Sequence, residues 1–258
     1  MGNDLNCLIG YTGFVGSNLS NQRPYDVFIN SKNFETMSGR HLSRLVCAGV
    51  SAVKWKANRA PEIDLSNIQK LIDVLQKVTA DKVVLISTID VYPQNRGGNE
   101  DMDCHDPLHH AYGRHRLYFE DFCRSHFPNL LVVRLPGLFG NGIKKNIIYD
   151  LLNDNCLEMI NPASQYQYYY LGNLSDDIDR AEKAGLSLVN FFTEPICTQE
   201  IIDRFFPKSN VGTESGPVVS YDMHTSHAFE MRGKTGPYLY TKEEVLSQLK
   251  NFIDGYNK

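Results

Sequence analysis

The chain has 258 residues, 42% hydrophobic and 22% charged, with a formal net charge of −4. That composition suits a globular protein with one sizeable core, alone or with a small lobe, and excludes a disordered or fibrous chain. The slight acidity offers no basic surface for nucleic acid or an anionic membrane, and no run of about 18 apolar residues provides a membrane span.

Residues 5–9 are a short apolar run ending in glycine, predicting a strand, with a helix at 14–20. Strand candidates follow at 25–30 and 45–49. Residues 61–79 read as an amphipathic helix, with Ile68, Leu71, Ile72 and Leu75 on one stripe and Pro61 in the first turn. The run 82–87 (KVVLIS) lacks alternation, as in a strand buried on both faces, and 130–135 (LLVVRL) repeats it after a helix at 110–126. Strand and helix thus alternate to residue 135, predicting βαβ units in a doubly wound parallel sheet. Beyond Pro136 the pattern loosens. Residues 144–153, 174–184, 198–206 and 241–256 read as helices, 166–171 as extended and 186–192 as a buried strand. Residues 207–240, rich in Gly, Ser, His and Pro, read as irregular. The stretch from Met1 to Leu8 lacks the features of a secretory signal. The six cysteines contain no Cys-x-x-Cys pair, which favours free thiols in a reducing cytosol.

Between the first strand and helix lie Gly10, Tyr11, Thr12, Gly13, Phe14, Val15 and Gly16. Glycines at this spacing permit a tight turn and close approach to a pyrophosphate, and the helix start offers unpaired N–H groups. Three glycines beside a strand also occur as a plain turn. The second strand ends in Asn30, Ser31 and Lys32, with no acid for a ribose 2′-hydroxyl. A lysine and a hydroxyl suit a 2′-phosphate; the other reading is a surface turn. After the KVVLIS strand come Ser87, Thr88, Ile89, Asp90, Val91 and Tyr92, and then Tyr112 and Arg116, one helical turn apart. A tyrosine beside a cation and a hydroxyl is an acid/base set in which the cation favours phenolate. The plain alternative for Tyr112 is a packed core aromatic.

The ordered set resembles the extended short-chain dehydrogenase/reductase family, in its NAD-dependent epimerase/dehydratase branch. It comprises the G-x-x-G-x-x-G loop, Pro61 with Asn67, Ser-Thr-x-x-Val-Tyr, Tyr112 with a cation and Glu120, and Arg134 to Gly140. The resemblance spans about residues 5–145. It implies a Rossmann-type fold with a small C-terminal substrate lobe, a nicotinamide cofactor, and reduction or epimerisation of a nucleoside-diphosphate sugar in the cytoplasm. It places catalysis on Thr88, Tyr112, Arg116 and Asp90, with Arg116 standing where the family has lysine. Cofactor contacts fall on Gly10, Thr12, Gly13, Phe14, Val15 and Gly16, and on Asn30, Ser31, Lys32, Ala48 and Gly49. Asn67, Ser87, Tyr112 and Arg116 complete them. NADP(H) is favoured by the Asn30 segment, with NAD(H) the alternative.

Asp90 stands where relatives place a proton-transferring group; bonding to the loop backbone is the competing reading. Ile89 replaces the dehydratase acid, which counts against dehydration. On the substrate side, Lys145 and Asn146 precede a helix where relatives contact a pyrophosphate; Lys144 and Lys145 also read as a solvated pair. The aromatics at 166–170 stack on a base or simply pack. The histidines 105, 109, 110 and 115 match no zinc spacing, so no metal is expected. The expected division is a dinucleotide domain at 1–140 plus about 165–195, and a substrate lobe at about 141–164 and 196–258. Related proteins dimerise through the helices equivalent to 61–79 and 110–126, which raises a homodimer. The competing function, favoured by Arg116, is a catalytically altered dinucleotide-binding regulator or scaffold.

Overall fold

The computed structural model describes residues 5–256, so Met1 to Asp4 of the N-terminal stretch and the last two residues lie outside it. The elements are β1 (Asn6–Ile9), α1 (Phe14–Gln22), β2 (Val27–Ile29), β3 (His41–Cys47), α2 (Lys54–Arg59), α3 (Pro61–Leu75), β4 (Thr79–Thr88), α4 (Ala111–His126) and β5 (Leu130–Leu135). Then come β6 (Gly137–Phe139), α5 (Ile147–Leu152), β7 (Gln165–Tyr166), β8 (Tyr168–Tyr170), α6 (Leu174–Lys183), β9 (Leu188–Asn190), β10 (Ile196–Cys197), α7 (Thr198–Phe205), α8 (Ala228–Arg232) and α9 (Lys242–Tyr256).

Six strands form one sheet in the order β2-β1-β3-β4-β5-β9. The pairs β1–β2, β1–β3 and β3–β4 are parallel, with Cys7 opposite Val27 and Leu45. The fold is the Rossmann-type doubly wound α/β sheet. Its apolar runs lack alternation because both faces are covered. Cys7, Ile9, Leu45 and Val83 join Ile68, Ile72 and Leu75 of α3 and Phe119 and Cys123 of α4 in one core, while the intervening Leu8, Val46 and Val84 are also buried. Strand order reverses between β1 and β3, and in such sheets ligands bind beyond the carboxyl ends of the strands at that point.

Packing groups the chain into two units. One holds residues up to Pro93, Asp101–Arg134 and Leu174–Val189; the other holds Gln94–Glu100, Leu135–Asn173 and Asn190 onward. Residues 135–140 and 165–173 therefore pack with the second unit. The stretch 166–171 is not one strand. Gln165–Tyr166 pairs antiparallel with β10, and Tyr168–Tyr170 pairs parallel with β6. Gln167 between them is buried, and its side chain donates to Thr193 O (2.6 Å) and Met223 O (2.7 Å) and accepts from Met223 N (2.8 Å). Helix α3 stops at Leu75, four residues before the expected end, because Thr79 already pairs with His41 of β3. The segment 207–240 is irregular apart from α8. All six cysteines are free thiols. Among the described residues no helix is long and apolar enough to cross a membrane.

Candidate functional site

Three glycines shape the β1–α1 turn, and they are not equivalent. Gly10 has φ +85° and lies against the backbone of Ala48 and Gly49 after β3; a side chain there would overlap the Ala48 carbonyl. Gly16 is buried, and a Cβ would overlap the Gly10 carbonyl. Gly13 instead has an ordinary φ of −81°, is exposed, and a Cβ would meet Gly10 O at 3.3 Å. Gly10 and Gly16 thus close the turn, whereas Gly13 leaves the surface of the loop open. No side chain caps α1 and no acid sits in its first turn, so its leading N–H groups are aimed outward with their partial positive charge. These residues fit the phosphates of a dinucleotide. Gly13→Val is expected to abolish dinucleotide binding in a fluorescence titration while moving the melting temperature by only a few degrees, the scale of about 1 kcal/mol. Retained binding would remove the loop from the site.

At the end of β2, Asn30 Nδ2 donates to Tyr11 Oη (3.2 Å) and Asn30 Oδ1 accepts from Lys32 N (2.8 Å). Asn30 is therefore spent on its own turn, while Ser31 and Lys32 are exposed.

The structure brings Thr88, Asp90 and Tyr112 together at the end of β4 and the start of α4. Thr88 Oγ1 accepts from Asp90 N (3.2 Å), and the Thr88 side chain is close enough to the Tyr112 phenol to pull its pKa down. Asp90 Oδ1 accepts from Lys54 Nζ at 2.6 Å, and Oδ2 meets Thr88 Oγ1 at 3.5 Å. The Asp90 carboxylate thus bonds side chains, while its carbonyl accepts from His109 Nε2 at 2.7 Å. Gly113 makes this approach possible, since a Cβ there would overlap Asp90 O and the His109 ring. The start of α4 is held by Asn58 Oδ1, which accepts from Tyr112 N (2.9 Å), and by His110 Nδ1, which accepts from Gly113 N (3.0 Å).

Arg116 is in the site but closed. Its guanidinium binds both carboxylate oxygens of Asp64 and the carbonyl of Ser51, and lies 4.0 Å over the Tyr112 ring. Burial works to raise the Asp64 carboxyl, yet bonds from Arg116 and His115 hold it below the usual carboxylate range. Tyr112 does not become the expected phenolate. Burial dominates and pushes it up to about 12, against a downward pull from Arg116. Asn67 is exposed on α3, and Asp64, one turn earlier, is the residue that reaches the α4 cation. Ser87 faces inward: its hydroxyl donates to Glu120 (2.5 Å), which also binds Arg134 and Arg124. Lys54, Asn58, Asp64 and His110 were missed by motif reading, because their partners are distant in the chain or are backbone groups.

Within the second unit, Asn146 caps α5. Its Oδ1 accepts from Ile148 N and Tyr149 N, and its Nδ2 donates to Leu138 O (2.8 Å). That amide is consumed by the turn, and the first-turn N–H groups expected to meet an anion are already taken; Lys145 is exposed. A cavity of about 230 Å³ follows, lined by Ile147, Asp150, Ile160, Asn161 and Tyr166 among others. Tyr168 and Tyr169 are buried and pack, so Tyr166 alone of these three faces the cavity. The histidines do not converge on one point: His105 binds Asp103 and Asp121, His115 binds Asp64, and the His109 and His110 rings pack on each other. No described group of three or more His, Cys, Asp or Glu is placed to hold a metal.

The sequence model of the NAD dependent epimerase/dehydratase family matches residues 43–174. No curated protein matches the chain. Among solved structures it is similar to a UDP-glucose 4-epimerase with UDP-glucose from Thermotoga maritima, at 15% identity, 97% of this chain and 98% of that one, and TM-score 0.71. It is also similar to a dTDP-4-dehydrorhamnose reductase from Clostridium acetobutylicum, at 13% identity, 96% and 99% coverage, and TM-score 0.71. A third is MoeE5 in complex with UDP-glucuronic acid and NAD, at 16% identity, 89% and 94% coverage, and TM-score 0.69.

Proposed function

The chain belongs to the NAD dependent epimerase/dehydratase family, and we propose that it reduces or epimerises a nucleoside-diphosphate sugar with a nicotinamide dinucleotide. The observation that carries this reading is the meeting of Thr88, Asp90 and Tyr112 at the carboxyl end of β4, in the same sheet whose β1 ends in an open glycine loop. Solved structures of the same fold hold UDP-glucose, UDP-glucuronic acid and NAD by their own descriptions. The first unit is assigned to the dinucleotide, and the second, with its Tyr166-lined cavity, to the substrate. Free thiols suit a reaction in the cytosol. Exposed Ile63, Leu65 and Tyr118 on α3 and α4 support a homodimer through those helices.

The cofactor is assigned as NADP(H). Ser31 and Lys32 stand exposed at the end of β2, where no carboxylate awaits a ribose hydroxyl. NADPH is expected to bind at least about tenfold more tightly than NADH, the value of one charge-assisted contact. Equal or reversed affinities in a fluorescence titration would replace NADP(H) by NAD(H). Binding of neither would remove the enzyme reading.

A second reading rests on Arg116. With its charge closed on Asp64, the chain could bind a dinucleotide as a regulator without turnover.

A further inference from the structure

We propose that His110 is a further catalytic group: a neutral imidazole that donates its Nε2–H to a keto-sugar oxygen while Asp90 takes the proton from the neighbouring carbon. The inference rests on the sugar-nucleotide reading above and specifies the chemistry of the same site.

The geometry fixes the tautomer. His110 is the residue before α4, and its Nδ1 accepts the Gly113 N–H at 3.0 Å. In the neutral ring the proton is then on Nε2. That atom lies 4.0 Å from Asp90 Oδ1. The two are too far apart to bond each other strongly, and near enough to reach adjacent atoms of one substrate. Their orientation is braced from both sides. The His109 ring packs on His110 with centroids 4.0 Å apart and is itself tied to the Asp90 carbonyl. The Tyr112 ring lies at 6.3 Å.

The charged and titratable groups facing the imidazole are Asp90 from the β4 end, Lys54 from α2, Tyr112 from α4 and His109 from its own loop. Burial, then Lys54 and His109, hold His110 below the usual imidazole range, with Asp90 opposing. A neutral ring is also what the cap requires, because a protonated Nδ1 cannot accept from Gly113. Lys54 Nζ pairs with Oδ1 of Asp90 at 2.6 Å and leaves Oδ2 to face the Thr88 hydroxyl at 3.5 Å. A carboxylate base beside a neutral imidazole at a helix start is an effective pair for taking a proton next to a carbonyl.

The step is balanced without an oxidant. Asp90 receives the proton from the carbon beside the ketone. The C–H electron pair becomes a C=C bond, and the carbonyl pair moves to oxygen, where His110 Nε2–H holds it. On return, Asp90 delivers a solvent-exchanged proton to the same carbon. Removal and return by the same carboxylate exchange the hydrogen without inverting the centre.

The test uses the native chain, His110→Asn and His110→Ala, with UDP-4-keto-6-deoxyglucose as probe in heavy water and deuterium uptake read by mass spectrometry. Asn is among the best helix-capping residues, so that variant keeps the start of α4 but cannot place a donor where Nε2 lies. Native chain should incorporate deuterium beside the ketone. Both variants should be slowed by on the order of 10²-fold, with the Asn variant melting like the native chain. Nitrogen NMR of the native histidines, with His110→Asn for assignment, should show His110 neutral and protonated on Nε2 at neutral pH. Exchange by His110→Asn at the native rate, or an imidazolium or Nδ1–H ring, would overturn the proposal. Absence of exchange in a native chain that does interconvert sugar nucleotides overturns this inference alone. Failure to bind any dinucleotide removes the functional reading, and this inference with it.

Discussion

Tyr112→Phe should lower turnover by about 10²–10⁴-fold, the usual range for a lost proton-transfer group, and leave dinucleotide affinity and melting temperature close to native. Tyr112 is 6% exposed, with the Thr88 side chain beside its phenol. Burial lifts its pKa to about 12, so at neutral pH it stands protonated. On the proposed function it would give its proton to a carbonyl oxygen as that oxygen becomes an alcohol, with Thr88 beside it to hold the same oxygen. The nicotinamide cofactor, when bound, would provide the hydride chemistry at the carbon. Phenylalanine removes the hydroxyl but keeps the ring under Arg116, 4.0 Å from the guanidinium carbon, so packing survives. The measurement is steady-state turnover beside a binding titration. A fully active Phe variant would exclude Tyr112. A native chain that binds dinucleotide yet turns over no sugar nucleotide would select the regulatory reading, with the Asp64-bound Arg116 as its cause.

The second large effect is structural. Glu120→Ala should cost about 3–5 kcal/mol, the scale for a broken buried ion pair, and lower the melting temperature by on the order of 10 °C. Glu120 is fully buried and accepts from Arg134 Nε (3.0 Å) and Nη2 (2.7 Å), from Arg124 and from Ser87. Burial works against the charge on Arg134, but the Glu120 bonds outweigh it and hold the guanidinium charged. Removing the carboxylate strands that charge among apolar neighbours, 4.8 Å over the Tyr92 ring. Ser87 precedes Thr88, so the loss also loosens the end of β4. A melt by circular dichroism that moves less than about 1 kcal/mol would refute the account.

Much of the fold was legible because its signals are local. Apolar runs marked β4 and β5, a stripe marked α3, and the spacing of Gly10, Gly13 and Gly16 marked the loop. Thr88, Asp90 and Tyr112 were legible as an ordered motif, and they do meet. What could not be read was who answers whom. Arg116 lies 52 residues from Asp64, and Lys54 lies 36 from Asp90. No local pattern links such pairs, which exist only once α2 and α3 pack beside α4. Helix α2 itself is six residues long and lacks an apolar stripe. Family spacing pointed to Asn67, but the helix turns its exposed face there. His110 looked like one of several loop histidines until the cap fixed its ring.

The two ion pairs at the site will answer differently to ionic strength. Arg116 and Asp64 have side chains 5% and 10% exposed, and Lys54 and Asp90 40% and 19%. Mobile ions screen charges that water reaches, over a Debye length of about 8 Å in physiological salt, and screen enclosed charges much less. Added salt therefore leaves the clamp on Arg116 nearly untouched while weakening the hold of Lys54 on Asp90. Of the two, only the Lys54–Asp90 pair is tuned by the solution around it.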